Sequence, residues 1–262
     1  MTSTDDTPRP AATLVVFRHG PAGGAPQLLM QVRAASMRFA AGACVFPGGA
    51  VDPADAALAE TLPMAEGWDG LPDMAARIAA IREMLEETGL AIGLTHRDGQ
   101  PIDAAQAAEA RILLAQANGA LAPVLDAMGW RVNAAALTPL ARWCPPLPRP
   151  FDTRFYLADL GSGQVDLSHE AHESERLLWL SAHETLAQAD AGGLSLVFPT
   201  RRTLERLAQF SSFEEARRHA LASPLDTISP AIIEAEGTSW LTIPEGLGYP
   251  VTRERLETAR RK

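Results

Sequence analysis

Asp73 to Leu90 reads DMAARIAAIREMLEETGL, and its periodicity is that of a helix. At about 100° per residue, Met74, Ile78, Ile81 and Leu85 share one narrow sector. Glu83, Glu86 and Glu87 lie opposite, so the wheel predicts an apolar stripe for a core and a carboxylate face directed to solvent. Asp73 is placed to open the helix as its N-cap and Gly89 to close it at C′. Carboxylates at i, i+3 and i+4 repel by roughly 0.2–0.5 kcal/mol per pair, and negative charge near a helix C-terminus opposes the macrodipole. Both penalties reverse if a hard divalent cation sits on that face, since Mg²⁺ takes oxygen ligands and shares them with substrate phosphates. Arg82, at i−4 from Glu86, is positioned to hold that carboxylate.

Outward from this helix the chain alternates strand and helix patterns. Ala12 to Arg18, Leu28 to Arg33 and Ala43 to Phe46 read as strands, the last stopped by Pro47-Gly48-Gly49. Pro53 to Leu62 reads as a short helix, Pro63 to Pro72 as a loop, and Leu90 to Leu94 as a strand. Ile102 to Met128 reads as two helices broken near Asn118-Gly119. Ala136 to Trp143, Thr153 to Leu160 and Arg176 to Leu180 are further strands, and Ser181 to Ala191, Thr200 to Phe210 and Phe213 to Leu221 further helices. Beyond Ser223 the chain reads as irregular. The expected fold class is α+β, one elaborated domain over 11–262 behind a flexible tail at 1–10.

Arg82-Glu83-Met84-Leu85-Glu86-Glu87-Thr88-Gly89-Leu90 resembles the second half of the Nudix box, R-E-U-x-E-E-x-G-U, at every defined position. The first half of that box is a Gly followed six positions later by a Glu. Here Gly49 is followed at that place by Asp55, and the stretch from Gly49 to Arg82 is longer than the family's usual spacing. Upstream, Leu29, Arg33, Ala34, Arg38, Gly42 and Phe46-Pro47-Gly48-Gly49 are similar to the signature of the coenzyme A diphosphatase branch, L-L-T-x-R-[SA]-x3-R-x3-G-x3-F-P-G-G. Met30 and Gln31 depart from its second leucine and its threonine. The insertion and the segment Arg149 to Phe155 look like those of the acyl-CoA diphosphatases.

This resemblance implies a mixed β-sheet sandwiched between helices, with an insertion at about 50–72, a helical insertion at about 102–128 and a C-terminal helical extension at about 198–262. It implies Mg²⁺ or Mn²⁺ as cofactor and hydrolysis of coenzyme A or an acyl-CoA to 3′,5′-ADP and 4′-phosphopantetheine or its acyl form. By motif position, Glu83 and Glu87 are expected as metal ligands, with Glu86 completing the shell or orienting water, held by Arg82, and Gly49 lending its carbonyl. Glu175 is expected as a late-loop carboxylate, chosen over Glu170 and Glu173. Arg33, Arg38 and Arg154 are the candidate phosphate contacts, because guanidinium forks bind phosphate oxygens bidentately. Asp55 is expected to be dispensable for metal binding, the family's Glu having moved or been lost through the insertion.

The balance of 23 Lys+Arg against 32 Asp+Glu excludes a general nucleic-acid binder, which needs a basic footprint. No apolar run approaches the roughly 20 residues of a membrane span. Cys44 and Cys144 lack metal-ligand spacing, and with no organelle tripeptide in Ala259 to Lys262 a cytoplasmic location is expected. The oligomeric state stays open, a homodimer included. Two other readings stay open as well. One is hydrolysis of another diphosphate, such as ADP-ribose or a nucleotide sugar. The other is a non-hydrolytic nucleotide-binding domain, which the intact carboxylates disfavour.

Overall fold

The computed structural model describes residues 7–35, 40–64, 70–161, 174–235 and 237–261. In chain order the strands and helices are β1 (Arg9–Arg18), β2 (Gln27–Arg33), β3 (Ala43–Val45), β4 (Gly48–Ala50), α1 (Pro53–Ala59), α2 (Leu71–Thr88), β5 (Leu94–His96), α3 (Ala104–Gln116), α4 (Leu121–Met128), β6 (Trp130–Val132) and β7 (Thr138–Trp143). There follow β8 (Phe151–Asp159), β9 (Ser174–Ser181), α5 (Ala182–Asp190), β10 (Ser195–Leu196), α6 (Phe198–Leu207), α7 (Phe213–Ala222), β11 (Thr227–Ile228), β12 (Ala231–Ala235), β13 (Thr238–Thr242), β14 (Arg253–Arg255) and α8 (Leu256–Arg261).

A mixed sheet runs in the order β10-β3-β2-β1-β8-β7-β11, with β4 also paired to β1 and β9 to β2. Its centre is β1, parallel to β8 over the whole of Arg9 to Phe17, so the strand takes in the last residues expected to form a tail. Alternation along β1 sends Ala12, Leu14 and Val16 to one face and Val15 and Phe17 to the other. The first face packs against α1 to α4, the second against α6 and α7, which gives the expected helix–sheet–helix sandwich.

Helix α2 crosses the first face. Its alanines Ala75, Ala76, Ala79 and Ala80 are buried along with Met74, Ile78, Ile81 and Leu85, so neighbours close in on more than the apolar stripe. Full burial of a side chain such as Ile81 contributes about 1.5–3 kcal/mol. The helix starts at Leu71, with Pro72 in the first turn, not at an Asp73 cap. Asp73 lies inside it, 2 % exposed, accepting from Arg77 Nε at 2.8 Å and from the Tyr156 hydroxyl at 2.7 Å. That carboxylate pins the N-terminal end of α2 to β8, and burial followed by the Asp73 charge pushes the Tyr156 phenol well above its ordinary value. Gly89 closes the helix in the left-handed conformation, as expected.

The stretch expected as a helical insertion forms the pair α3 and α4, with Gly129 as left-handed cap. Two expectations are corrected. The strand after α2 is Leu94–His96, paired with β6, because Leu90 is drawn into the core first. The C-terminal stretch is not wholly helical or irregular: β12, β13 and β14 form a separate antiparallel sheet. Ile232 and Ile233 on β12 are both exposed, so the strand carries no buried/exposed alternation by which it could be read.

Candidate active site

The C-terminal half of α2 meets the β4 turn. Gly48 and Gly49 pair with Thr13 and Ala12 of β1, which brings their backbone beneath the helix. A Cβ at Gly49 would lie 2.2 Å from Glu83 Oε1, so only glycine lets the Glu83 carboxylate lie against this backbone. At Gly48 a Cβ would meet the Ala12 carbonyl oxygen at 2.2 Å, and φ is +151°. Its N–H donates to Glu87 Oε2 at 3.0 Å. The amide of Gln31 on β2 donates to Glu87 Oε1 at 3.2 Å.

Glu87 is therefore not solvent-directed, as the wheel had it, but 1 % exposed between α2, β2 and β4. A donor on each of its two oxygens fixes the orientation of the carboxylate. Glu83 is half-buried and Glu86 is the open member, its side chain 42 % exposed. The three carboxylates thus grade from buried to open along one end of α2.

Arg82 organises this end of the helix. Its Nε and Nη2 each reach Asp55 at 3.0 Å, Nη2 donates to the Ala50 carbonyl at 2.9 Å, and Nη1 reaches Glu83 Oε1 at 2.8 Å and Glu86 Oε2 at 3.4 Å. Burial alone would lower the guanidinium's affinity for its proton; the Asp55 and Glu83 carboxylates more than reverse this and raise it. Asp55, 1 % exposed, sits six residues after Gly49, and its Oδ2 accepts from the Asp52 N–H at the start of α1. Asp55, at the six-residue place after Gly49, is the buried partner of Arg82, 27 residues further along the chain. Beyond α2, Arg111 of α3 donates to the Glu86 carbonyl at 2.8 Å, satisfying an end-of-helix acceptor.

Among the described residues no three His, Cys, Asp or Glu side chains converge into a protein-only metal cage. Glu83, lying against Gly49, and Glu87, one turn further along α2, offer oxygen donors only. Such a set suits a hard cation that completes its shell with substrate phosphates and water. The remaining predicted residues are dispersed. Arg33 is half-buried on β2, two residues beyond Gln31. Arg154 on β8 is 2 % exposed, with Asp152 4.0 Å away. Glu175 falls where the β2–β9 register slips between Val32 and Arg33. Arg38, Glu170 and Glu173 lie outside the described residues. Cys44 is fully buried, its thiol pushed up to about 12 by burial, and is inert as a nucleophile.

A cavity of about 420 Å³ lined by Arg18, His19, Asp159, Ser212, Phe213 and Glu214 opens at the C-terminal end of β1, away from these carboxylates. Sequence reasoning missed Gln31 and the Asp55–Arg82 pair. The second had a signal, an acid standing at the place of the family's Glu; the first had none, since glutamine in a strand is only a departure from pattern.

This fold, with a box helix clamped by arginine over a Gly-Gly turn, is that of the Nudix hydrolase family, to which the chain belongs. The crystal structure of a NUDIX hydrolase from Alicyclobacillus acidocaldarius matches it with TM-score 0.69 and 32 % identity, covering 82 % of this chain and 97 % of that one. The chain is also 26 % identical over 240 residues to the acyl-coenzyme A diphosphatase NUDT19 of Gallus gallus, covering 73 % of this chain and 64 % of that relative's length. No family model matches the chain. No helix of the described residues is long and apolar enough to cross a membrane.

Proposed function

We propose that the chain hydrolyses the diphosphate bond of coenzyme A or an acyl-CoA with Mg²⁺ or Mn²⁺, releasing 3′,5′-ADP and 4′-phosphopantetheine or its acyl form. The observation that carries the hydrolytic part is Glu87 held by the Gly48 and Gln31 donors beside Glu83, which lies against Gly49. Glu83, Glu87 and the Gly49 carbonyl would hold the cation. When bound, the cation neutralises charge on the diphosphate and acidifies water. Water adds to one phosphorus, the bridging P–O bond breaks, and two phosphate monoesters leave. Glu86, the carboxylate most open to solvent, orients that water and accepts its proton, with Glu175 as a second candidate from β9. Arg82 holds Glu83 and Glu86 apart and in place.

The choice of coenzyme A rests on the name of the Gallus gallus relative and on the Arg33 and Arg38 pattern. Arg33, Arg38 and Arg154 are assigned to substrate phosphates, Arg154 from a buried position on β8. The test is a panel of coenzyme A, acyl-CoA, dephospho-CoA and ADP-ribose with Mg²⁺ or Mn²⁺, products resolved by chromatography. Coenzyme A or an acyl-CoA should be cleaved best. Robust cleavage of ADP-ribose with none of coenzyme A would refute the substrate assignment, and no cleavage of any diphosphate would refute the hydrolytic one.

A further inference from the structure

Gln31 occupies a central position of β2, opposite Val45 of β3 and Leu177 of β9, and is 0 % exposed. Its strand neighbours Leu29, Met30 and Val32 fill the two cores. An aliphatic residue would fit this place without desolvating an amide, a step that costs roughly 1–3 kcal/mol for a polar group left unpaired. The amide is half satisfied. Nε2 donates to Glu87 Oε1 at 3.2 Å, and the opposite amide orientation would set oxygen against carboxylate oxygen. Oε1 then meets no donor among the described residues. Amide oxygen and nitrogen share one carbon, so this orphan acceptor lies at the same end of the side chain as the Glu87 contact.

We infer that Gln31 is a positioning residue of the cation site: its N–H fixes Glu87, and its buried carbonyl oxygen accepts from a water that enters with the cation. The inference rests on the proposed metal-dependent function. A half-satisfied buried amide is worse than an apolar side chain unless a further donor arrives, and the orphan acceptor here stands at the Glu87 end of the side chain. The Gly48 N–H holds the other Glu87 oxygen, so the carboxylate is gripped from two strands at once. Gln31 is a grip supplied by a side chain, and therefore one that a substitution can remove.

The experiment is titration of Mn²⁺ alone into substrate-free protein by calorimetry, with thermal melting alongside. Gln31→Met keeps nearly the same volume and removes both polar ends. Loss of a residue that orients a metal ligand typically lowers affinity about 10–100-fold, and a fall of that size in folded protein, exceeding any fall in kcat at saturating Mn²⁺, is expected. Gln31→Leu serves as the second variant should methionine impair folding. Unchanged Mn²⁺ affinity in a folded variant, with or without a lower melting temperature, would overturn the inference and leave Gln31 a packing residue. A wild type that binds no Mn²⁺, or a Glu87→Gln variant that binds it as tightly as wild type, would instead overturn the metal site itself, and the inference with it.

Discussion

Asp55→Ala removes the partner of a buried cation. Asp55 and Arg82 are 1 % and 3 % exposed at the side chain and meet at 3.0 Å. Breaking such a pair by deleting one member typically costs about 3–5 kcal/mol. Arg82 would retain Glu83 at 2.8 Å and the Ala50 carbonyl at 2.9 Å, which places the loss at the lower end. The Asp52 N–H would lose its acceptor at the start of α1, adding about 1 kcal/mol, as helix caps do. A total of about 4 kcal/mol corresponds to a fall in melting temperature of roughly 8–16 °C for a domain of this size. Urea unfolding with and without Arg82→Met checks the cause, because the double variant should be less destabilised than the sum of the two singles by about 0.5–3 kcal/mol. Mn²⁺ affinity of folded Asp55→Ala, measured well below its melting temperature, should stay close to wild type, since Asp55 faces Arg82. An unaltered melting temperature would refute the ion-pair argument. A stable Asp55→Ala protein unable to bind Mn²⁺ would place Asp55 among the ligands.

Other outcomes follow from the same geometry. Glu83→Gln and Glu87→Gln should each reduce turnover at least about 100-fold under saturating metal, but Glu87→Gln should lower stability more, by about 1–3 kcal/mol, because its new NH₂ opposes the Gly48 or Gln31 donor, whereas Glu83→Gln keeps an oxygen for Arg82; melting curves beside steady-state kinetics separate the two. Gly49→Ala should displace the Glu83 carboxylate and abolish most activity in a folded protein, whereas Gly48→Ala, which collides with the Ala12 backbone, should unfold it or lower its melting point sharply. Circular dichroism and turnover on both variants would refute this if they behaved alike. Burial, then the Arg206 charge, lower the His219 imidazole below its ordinary 6.5. The unfolded chain then takes up the proton first, so stability is full above about pH 6.5 and is lost as pH falls through the folded value. Stability curves of His219→Gln should lack that portion of the acid loss, and identical pH dependence in both proteins would count against it.

What the sequence determined by itself is local in the chain. The α2 periodicity, the R-E-x-x-E-E-x-G run, the Gly89 stop and the break at Asn118-Gly119 each depend on residues within a few turns of one another, and the folded protein has them where the pattern says. The tertiary structure decided which faces close. A helical wheel ranks directions around one axis; it cannot show that a second wall, Gln31 and Gly48, stands over the side opposite the apolar stripe and buries Glu87. The Asp73–Tyr156 contact spans 83 residues and the Arg82–Asp55 pair 27, so neither leaves a periodic trace. Strand β4 is Gly-Gly-Ala, without intrinsic strand preference, and exists because β1 offers it a ladder. Strand β12, exposed from Ala231 to Glu234, has no alternation to reveal it. Chemistry carried by short-range spacing was legible, and the burial that sets the charge and orientation of the same groups came only with the fold, because burial belongs to pairs of surfaces and not to residues.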